Sequence, residues 1–261
     1  MRKLLAVVDR LRDPEGGCPW DLEQTPESLA PSLVEEAHEL LEALETGSED
    51  GAVEEAGDLL MGVVLVCRIA EQAGRFDLAR VGEGVCAKLI RRHPHVFGEA
   101  RVDGSAHALA NWERIKQEER REKRTDASAL AGVPRALPAL QRTFRIGEKA
   151  IAAGFRWTGP EGALAKLREE VDELFEVYAG GGADAAERLE EELGDVLLAG
   201  ALAGNYLGLD PERALRRSLR RFEERFRSME SELGGELREL PLERLVEAWQ
   251  AAKERLQTGP Q

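Results

Sequence analysis

Residues 26–44, PESLAPSLVEEAHELLEAL, align without a gap on residues 160–178, PEGALAKLREEVDELFEVY. This recurrence constrains the fold more than any other feature, because a block repeated at long range means one helical unit built twice. The match extends further along the chain. EEAGDLLMG (54–62) answers EELGDVLLA (191–199), NWERIK (111–116) answers AWQAAK (248–253), and GCPWD (17–21) has a faint echo in GFRWT (154–158). The interval is far too long for a solenoid, so a duplicated domain is the economical reading.

Apolar residues recur with the helical period throughout, and no persuasive alternation of strand type is present. Ala, Leu, Glu and Arg dominate and aromatics make up 5% of residues, which favours helix. Helices are predicted near 1–12, 26–46, 49–74, 76–93 and 105–124, then near 136–153, 160–179, 184–208, 210–233 and 241–257. Stops such as TGSEDG, AGRFD, HPHVFGEARVDG, AGFRWTGP, AGGGAD, LGLDP and GGELRELP separate them. Pro31 is expected to delay the start of the helix that follows it, and the His93-Pro94-His95 stretch reads as a helix stop. The expected architecture is all-α: two tandem helical-bundle domains at 1–120 and 138–261, with a linker at 121–137 inside KQEERREKRTDASALAGVPRALP.

A net charge of −14 argues against nucleic-acid and anionic-membrane partners, both of which need a basic footprint. Three scattered cysteines, Cys18, Cys67 and Cys86, supply neither a disulfide framework nor a zinc site and fit a reducing cytoplasm. The opening MRKLLAVVDR is too short in its apolar run for a signal peptide, and Arg68 breaks the longest apolar helix, LLMGVVLVCRIA (59–70).

The acids of the repeated block carry the chemistry. Glu36 and Glu39 lie three apart, and Glu36 shares a helix face with Leu33 and Leu40. Glu170 and Glu173 repeat this beside Leu167 and Leu174. The next helix of each half adds Glu55 and Asp58, then Glu192 and Asp195, and Gly62 permits close helix approach. Glutamate pairs on acid-rich helices are ordinarily solvated, but the leucine-bearing face, the second acid pair and the recurrence point inward. Carboxylates crowded together need protons or a cation. Ligands that are all oxygen, with no Cys or His, suit a hard ion such as Mg²⁺ or Mn²⁺, and magnesium commonly meets substrate phosphates.

The order Glu35-Glu36, Glu39, Glu55, Asp58, repeated as Glu169-Glu170, Glu173, Glu192, Asp195, resembles the MazG family of all-α nucleoside triphosphate pyrophosphohydrolases. The acid motif alone is shared with dimeric dUTPases and phosphoribosyl-ATP pyrophosphohydrolases. RLRDPEGGCPWDLEQT (10–25), RRHPHVF (91–97), NWERIKQEER (111–120), GFRWT and EELGDVLL strengthen the likeness across nearly the whole chain. The resemblance implies nucleoside triphosphate substrates, cleavage to monophosphate and pyrophosphate, and a homodimer or higher homo-oligomer. It implies metal ligands among Glu36, Glu39, Glu55 and Asp58 and among Glu170, Glu173, Glu192 and Asp195, with Glu169 or Glu191 handling the attacking water. Lys166, Arg221, Arg225 and Lys253 resemble phosphate-binding positions, Lys166 close enough to the acids to assist catalysis. Trp249 offers a stacking face for a base, though a place at the edge of the core is its ordinary role.

The halves differ where Ser32 replaces Lys166 and His38 replaces Asp172, while Arg91, Arg92, Trp112 and Lys116 remain in the first. The second half is therefore expected to be the principal catalytic one. Rival functions are a specialised dUTPase or phosphoribosyl-ATP hydrolase, a di-iron carboxylate oxidoreductase and a non-catalytic helical scaffold. The di-iron reading has one Glu-x-x-His, Glu35 with His38, and neither His93, His95 nor His107 completes a second.

Overall fold

A computed structural model describes residues 1–122, 128–182, 184–234 and 237–258, the side chains of residues 117, 120–122, 239 and 258 excepted. Among these residues there is no strand. The chain divides into two compact units, Met1–Glu122 and Lys123–Gln261.

In the first unit the helices are α1 (Arg2–Leu11), α2 (Pro19–Glu23), α3 (Pro26–Thr46), α4 (Glu49–Gln72), α5 (Leu78–Arg92), α6 (Pro94–Phe97) and α7 (Ser105–Glu122). Local chemistry sets their ends. Thr25 accepts from the Ser28 backbone while the Ser28 side chain answers the Thr25 backbone, a reciprocal cap with Pro26 as first helical residue. Gly47 closes α3 in the left-handed conformation at φ 77°, and Ser48 and Asp77 cap α4 and α5. Pro31 does not delay α3, contrary to expectation: the helix begins at Pro26 and runs through it. A start already nucleated by the cap absorbs the loss of one early backbone donor.

Helices α3 and α4 pack along their length and α1 lies against α4. Val8, Leu29, Val64, Leu65 and Ile69 form the buried core between them. A Cβ on Gly62 would fall 2.7 Å from Leu33 Cδ2, so the missing side chain lets α4 approach α3 closely. Arg12 fastens the GGCPWD loop. Its guanidinium donates to the Asp21 and Gln24 carbonyls and to Gln72 Oε1 at 3.0 and 2.8 Å, and Gln72 donates back to the Arg12 carbonyl.

The second unit contains α8 (Ala139–Ala152), α9 (Pro160–Gly180), α10 (Ala185–Leu207), α11 (Pro211–Leu233), a 3₁₀ turn at Leu237–Glu239 and α12 (Leu242–Thr258). Helices α9 and α10 repeat the α3–α4 pair, and α8 packs on α10 as α1 does on α4. The Tyr206 hydroxyl accepts from the Trp157 backbone N–H at 2.9 Å, and the two rings meet edge-on, which anchors GFRWT to α10. Helices α11 and α12 close on Met229, Ala248 and Ala252, with Phe226 and Trp249 at the margin. Residues 123–127 of the expected linker lie outside the described residues; 128–138 are turns and bends without helix.

Candidate metal and nucleotide site

The repeated α-helical pair sets the acids. Positions three apart on α3 and on α9 lie one turn over another, and the facing stretches of α4 and α10 present their own pair across the contact. Glu36, Glu39 and Glu55 each bring one carboxylate oxygen to within 4.8 Å of the others, and Glu170, Glu192 and Asp195 do the same. Asp58 and Glu173 stand beside these groups. The Asp58 charge acts on both Glu36 and Glu55, and Glu173 shares a hydrogen bond with Glu170.

The acids rim the helix pair more than they fill it. Glu170 alone is buried, at 8% exposure; Glu36, Glu55 and Glu192 are half-buried, and Glu39, Asp58, Glu173 and Asp195 are exposed. The inward orientation expected of all eight is therefore corrected for four of them. The long side chains of Glu39 and Glu173 extend along the helix surface toward water, while Asp58 and Asp195 are exposed on α4 and α10.

The two groups differ in charge balance. In the first unit, burial and then the charges of Glu39, Asp58 and Glu35 push the Glu36 carboxyl above its ordinary range. Burial and then Glu39 and Glu36 push Glu55 the same way. Among the described residues no lysine or arginine pairs with these acids, and Ser32 occupies the place of Lys166. In the second unit Lys166 Nζ lies 2.6 Å from Glu169 Oε1 and 2.9 Å from Glu170 Oε1. Those two bonds raise the lysine, and its bond lowers Glu170 against the opposing effect of burial. The hydrogen bond with Glu170, then burial, raises Glu173.

Both groups have the donor set of a hard-cation site: oxygens only, clustered, and carrying more negative charge than their surroundings neutralise. Glu169 turns its carboxylate to Lys166, while Glu191 is exposed on α10. His38 belongs to neither group, so the described residues lend no geometry to a di-iron arrangement.

The other expected cations and the tryptophan lie on α11 and α12. The Trp249 ring meets Phe222 at 5.1 Å between centroids and packs at the edge of the α11–α12 core. Arg221 donates to Ser218, and among the described residues Arg221, Arg225 and Lys253 pair with no carboxylate. In the first unit the corresponding Trp112 has Lys116 Nζ 4.3 Å and Arg92 Cζ 5.3 Å from its ring centre. Glu119, which the sequence did not single out, binds Arg91 Nε and Arg92 Nη2 at 2.6 Å each. Its spacing of three from Lys116 was visible, but its arginine partners lie on another helix. Tyr206 and Gln72 escaped notice for the same reason.

The MazG nucleotide pyrophosphohydrolase domain, as a family model, matches residues 24–97 and again residues 158–234. The chain is 41% identical over 254 residues, 96% of each sequence, to the nucleoside triphosphate pyrophosphohydrolase of Escherichia coli strain K12. It is 42% identical over 254 residues to the nucleoside triphosphate pyrophosphohydrolase/pyrophosphatase MazG of Thermotoga maritima, covering 96% of this chain and 94% of that one. The family matches contain both acid groups and end before α7 and α12.

Proposed function

This chain belongs to the MazG nucleotide pyrophosphohydrolase domain family, and on that footing we propose that it hydrolyses nucleoside triphosphates to nucleoside monophosphates and pyrophosphate. The observation that carries the reading is the recurrence, in both units, of oxygen-only carboxylate groups on a paired-helix frame. In the second unit Glu170, Glu173, Glu192 and Asp195 would hold Mg²⁺, with Mn²⁺ as a substitute; in the first, Glu36, Glu39, Glu55 and Asp58. A divalent ion bound there supplies charge neutralisation for the triphosphate and a fixed point for its oxygens.

The chain's own residues do the rest. Glu169 or Glu191 orients a water toward the α-phosphorus and takes its proton as the new P–O bond forms. The bond to the bridging oxygen breaks and the electron pair leaves with pyrophosphate. Lys166, released from Glu169 and Glu170 when phosphate oxygens arrive, meets that developing charge. Arg221, Arg225 and Lys253, which have no carboxylate partner among the described residues, reach for the remaining phosphate oxygens. Trp249 offers a ring face to the base, a stacking contact that tolerates many bases and suits clearance of unwanted nucleotides from the pool.

We place the principal catalytic site in the second unit, where Lys166 accompanies the acids. The enzyme acts as a homodimer in the cytoplasm: Phe175 and Tyr178 on α9, at 66% and 74% exposure, with Leu193, Leu197 and Leu198 on α10, leave apolar surface that a second copy would cover. Among the described residues no helix is long and apolar enough to cross a membrane. A panel of ribo- and deoxyribonucleoside triphosphates, assayed with Mg²⁺ for pyrophosphate against orthophosphate, tests the reading. Pyrophosphate in equimolar yield with monophosphate is expected; orthophosphate release, or no release, would defeat it.

A further inference from the structure

In the first unit Arg92 and Lys116 gather on the Trp112 ring with Arg91 beside them, while the second unit has Lys253 and Trp249 at the aligned places of Lys116 and Trp112 and its own arginines, Arg221 and Arg225, on α11. The difference is that the first set is occupied. Glu119 takes both arginines: Arg91 Nε at 2.6 Å, Arg92 Nη2 at 2.6 Å and Arg92 Nε at 3.2 Å. The carboxylate is nearly closed off, at 11% side-chain exposure, and Arg92 is at 15%. Hydrogen bonds from Arg92 and then Arg91 hold its carboxyl down to about 2, so it stays an anion throughout the physiological range. The Trp112 ring is taken as well, with Lys116 and Arg92 both within cation–π reach.

We propose that Glu119 is a built-in occupant of a phosphate-binding cluster made by Arg91, Arg92, Lys116 and Trp112, and that it keeps this cluster from taking a nucleoside triphosphate. The chemistry follows from the guanidinium fork, which recognises carboxylate and phosphate through the same parallel N–H donors. An internal carboxylate tethered on α7 acts at high effective concentration, so a free triphosphate must displace it. The second unit serves as the comparison within one molecule. The alignment of NWERIK on AWQAAK puts Trp249 at Trp112 and Lys253 at Lys116, and three residues on it puts Leu256 at Glu119. Leu256 is half-exposed and carries no charge, and Arg221 and Arg225 have no carboxylate partner among the described residues. Glu119 and Leu256 also lie outside both stretches matched by the family model. The proposal rests on the reading that each cation–tryptophan set meets nucleotide phosphates, and it makes Glu119 the residue that limits one unit.

The test counts binding sites on the full chain by calorimetry, with the α,β-methylene analogue of dATP and magnesium chloride as the probe. The wild type is expected to bind one analogue per chain and Glu119→Gln two, the added site disappearing again in Glu119→Gln with Arg92→Ala. A count of two in the wild type, or of one in Glu119→Gln, overturns the proposal. Should Glu119→Gln not fold, Leu256→Glu carries the test in reverse. Installing a carboxylate at the place aligned with Glu119 raises the KM for dATP several-fold with kcat retained, and an unchanged KM overturns the proposal. If the wild type neither binds the analogue nor releases pyrophosphate, the catalytic reading fails separately. A site that appears only in Glu119→Gln would still support the occupancy of the cluster.

Discussion

Glu170 and Glu173 share a hydrogen bond, and Lys166 makes the pair unequal. Its bond lowers Glu170, whereas the hydrogen bond with Glu170 and then burial push Glu173 up. Glutamine at 173 still hydrogen-bonds Glu170 but offers no carboxylate oxygen to a cation. Glu173→Gln is therefore expected to leave the helical circular-dichroism spectrum unchanged and to lower pyrophosphate release by on the order of 100-fold, the scale of losing one preorganised charge-stabilising group. Full activity in that variant would remove Glu173 from the ligand set. Glu119 gives a prediction of opposite character. Its carboxyl falls from the ordinary 4.5 to about 2, so between those values the folded chain binds fewer protons than the unfolded one. The stabilisation it provides is complete above 4.5 and fades as pH falls toward 2. Thermal melts across that window should fall more steeply for the wild type than for Glu119→Gln, and parallel curves would contradict the assignment.

Among the elements, the helix pairs α3–α4 and α9–α10 were legible because the helical period, the caps and the repeat all agree on them. The short pieces were not. Pro19–Glu23 and Pro94–Phe97 are too brief to show a period, and the 3₁₀ turn at Leu237–Glu239 has none to show. What fixes Pro19–Glu23 is Arg12, a buried guanidinium satisfied by two carbonyls and the Gln72 side chain. Those partners lie on α2, at the residue that follows it and on α4, and no spacing in the sequence joins them. Arg12→Ala leaves buried acceptors unpaired and should cost about 3 kcal/mol of stability, read by denaturant titration. A loss within error would show that water takes over the arginine's bonds.

For the molecule as a whole, duplication has given two frames of one design and two electrostatic outcomes. The first acid group has only its own charges around it, whereas Lys166 offsets part of the second. Paired variants in the intact chain test the consequence. Glu192→Gln with Asp195→Asn is expected to remove nearly all pyrophosphate release, and Glu55→Gln with Asp58→Asn to leave most of it. Equal losses would abolish the distinction between units. Light scattering should return twice the chain mass, and Phe175→Glu with Tyr178→Glu should return the mass of one chain, since charges on a buried apolar face cost more than the contact gains.

The sequence by itself determined that the chain is helical and twice-built, and which acids sit one turn apart, because helix geometry is local and its period is written in consecutive residues. It also told which half has Lys166. Only the tertiary structure decided that four of the eight acids face water, that Lys166 rests on Glu169 and Glu170, and that Glu119 fills the arginines of α5. Each of those depends on where a long side chain ends after helices pack, and chain spacing does not encode the reach of a side chain across that packing.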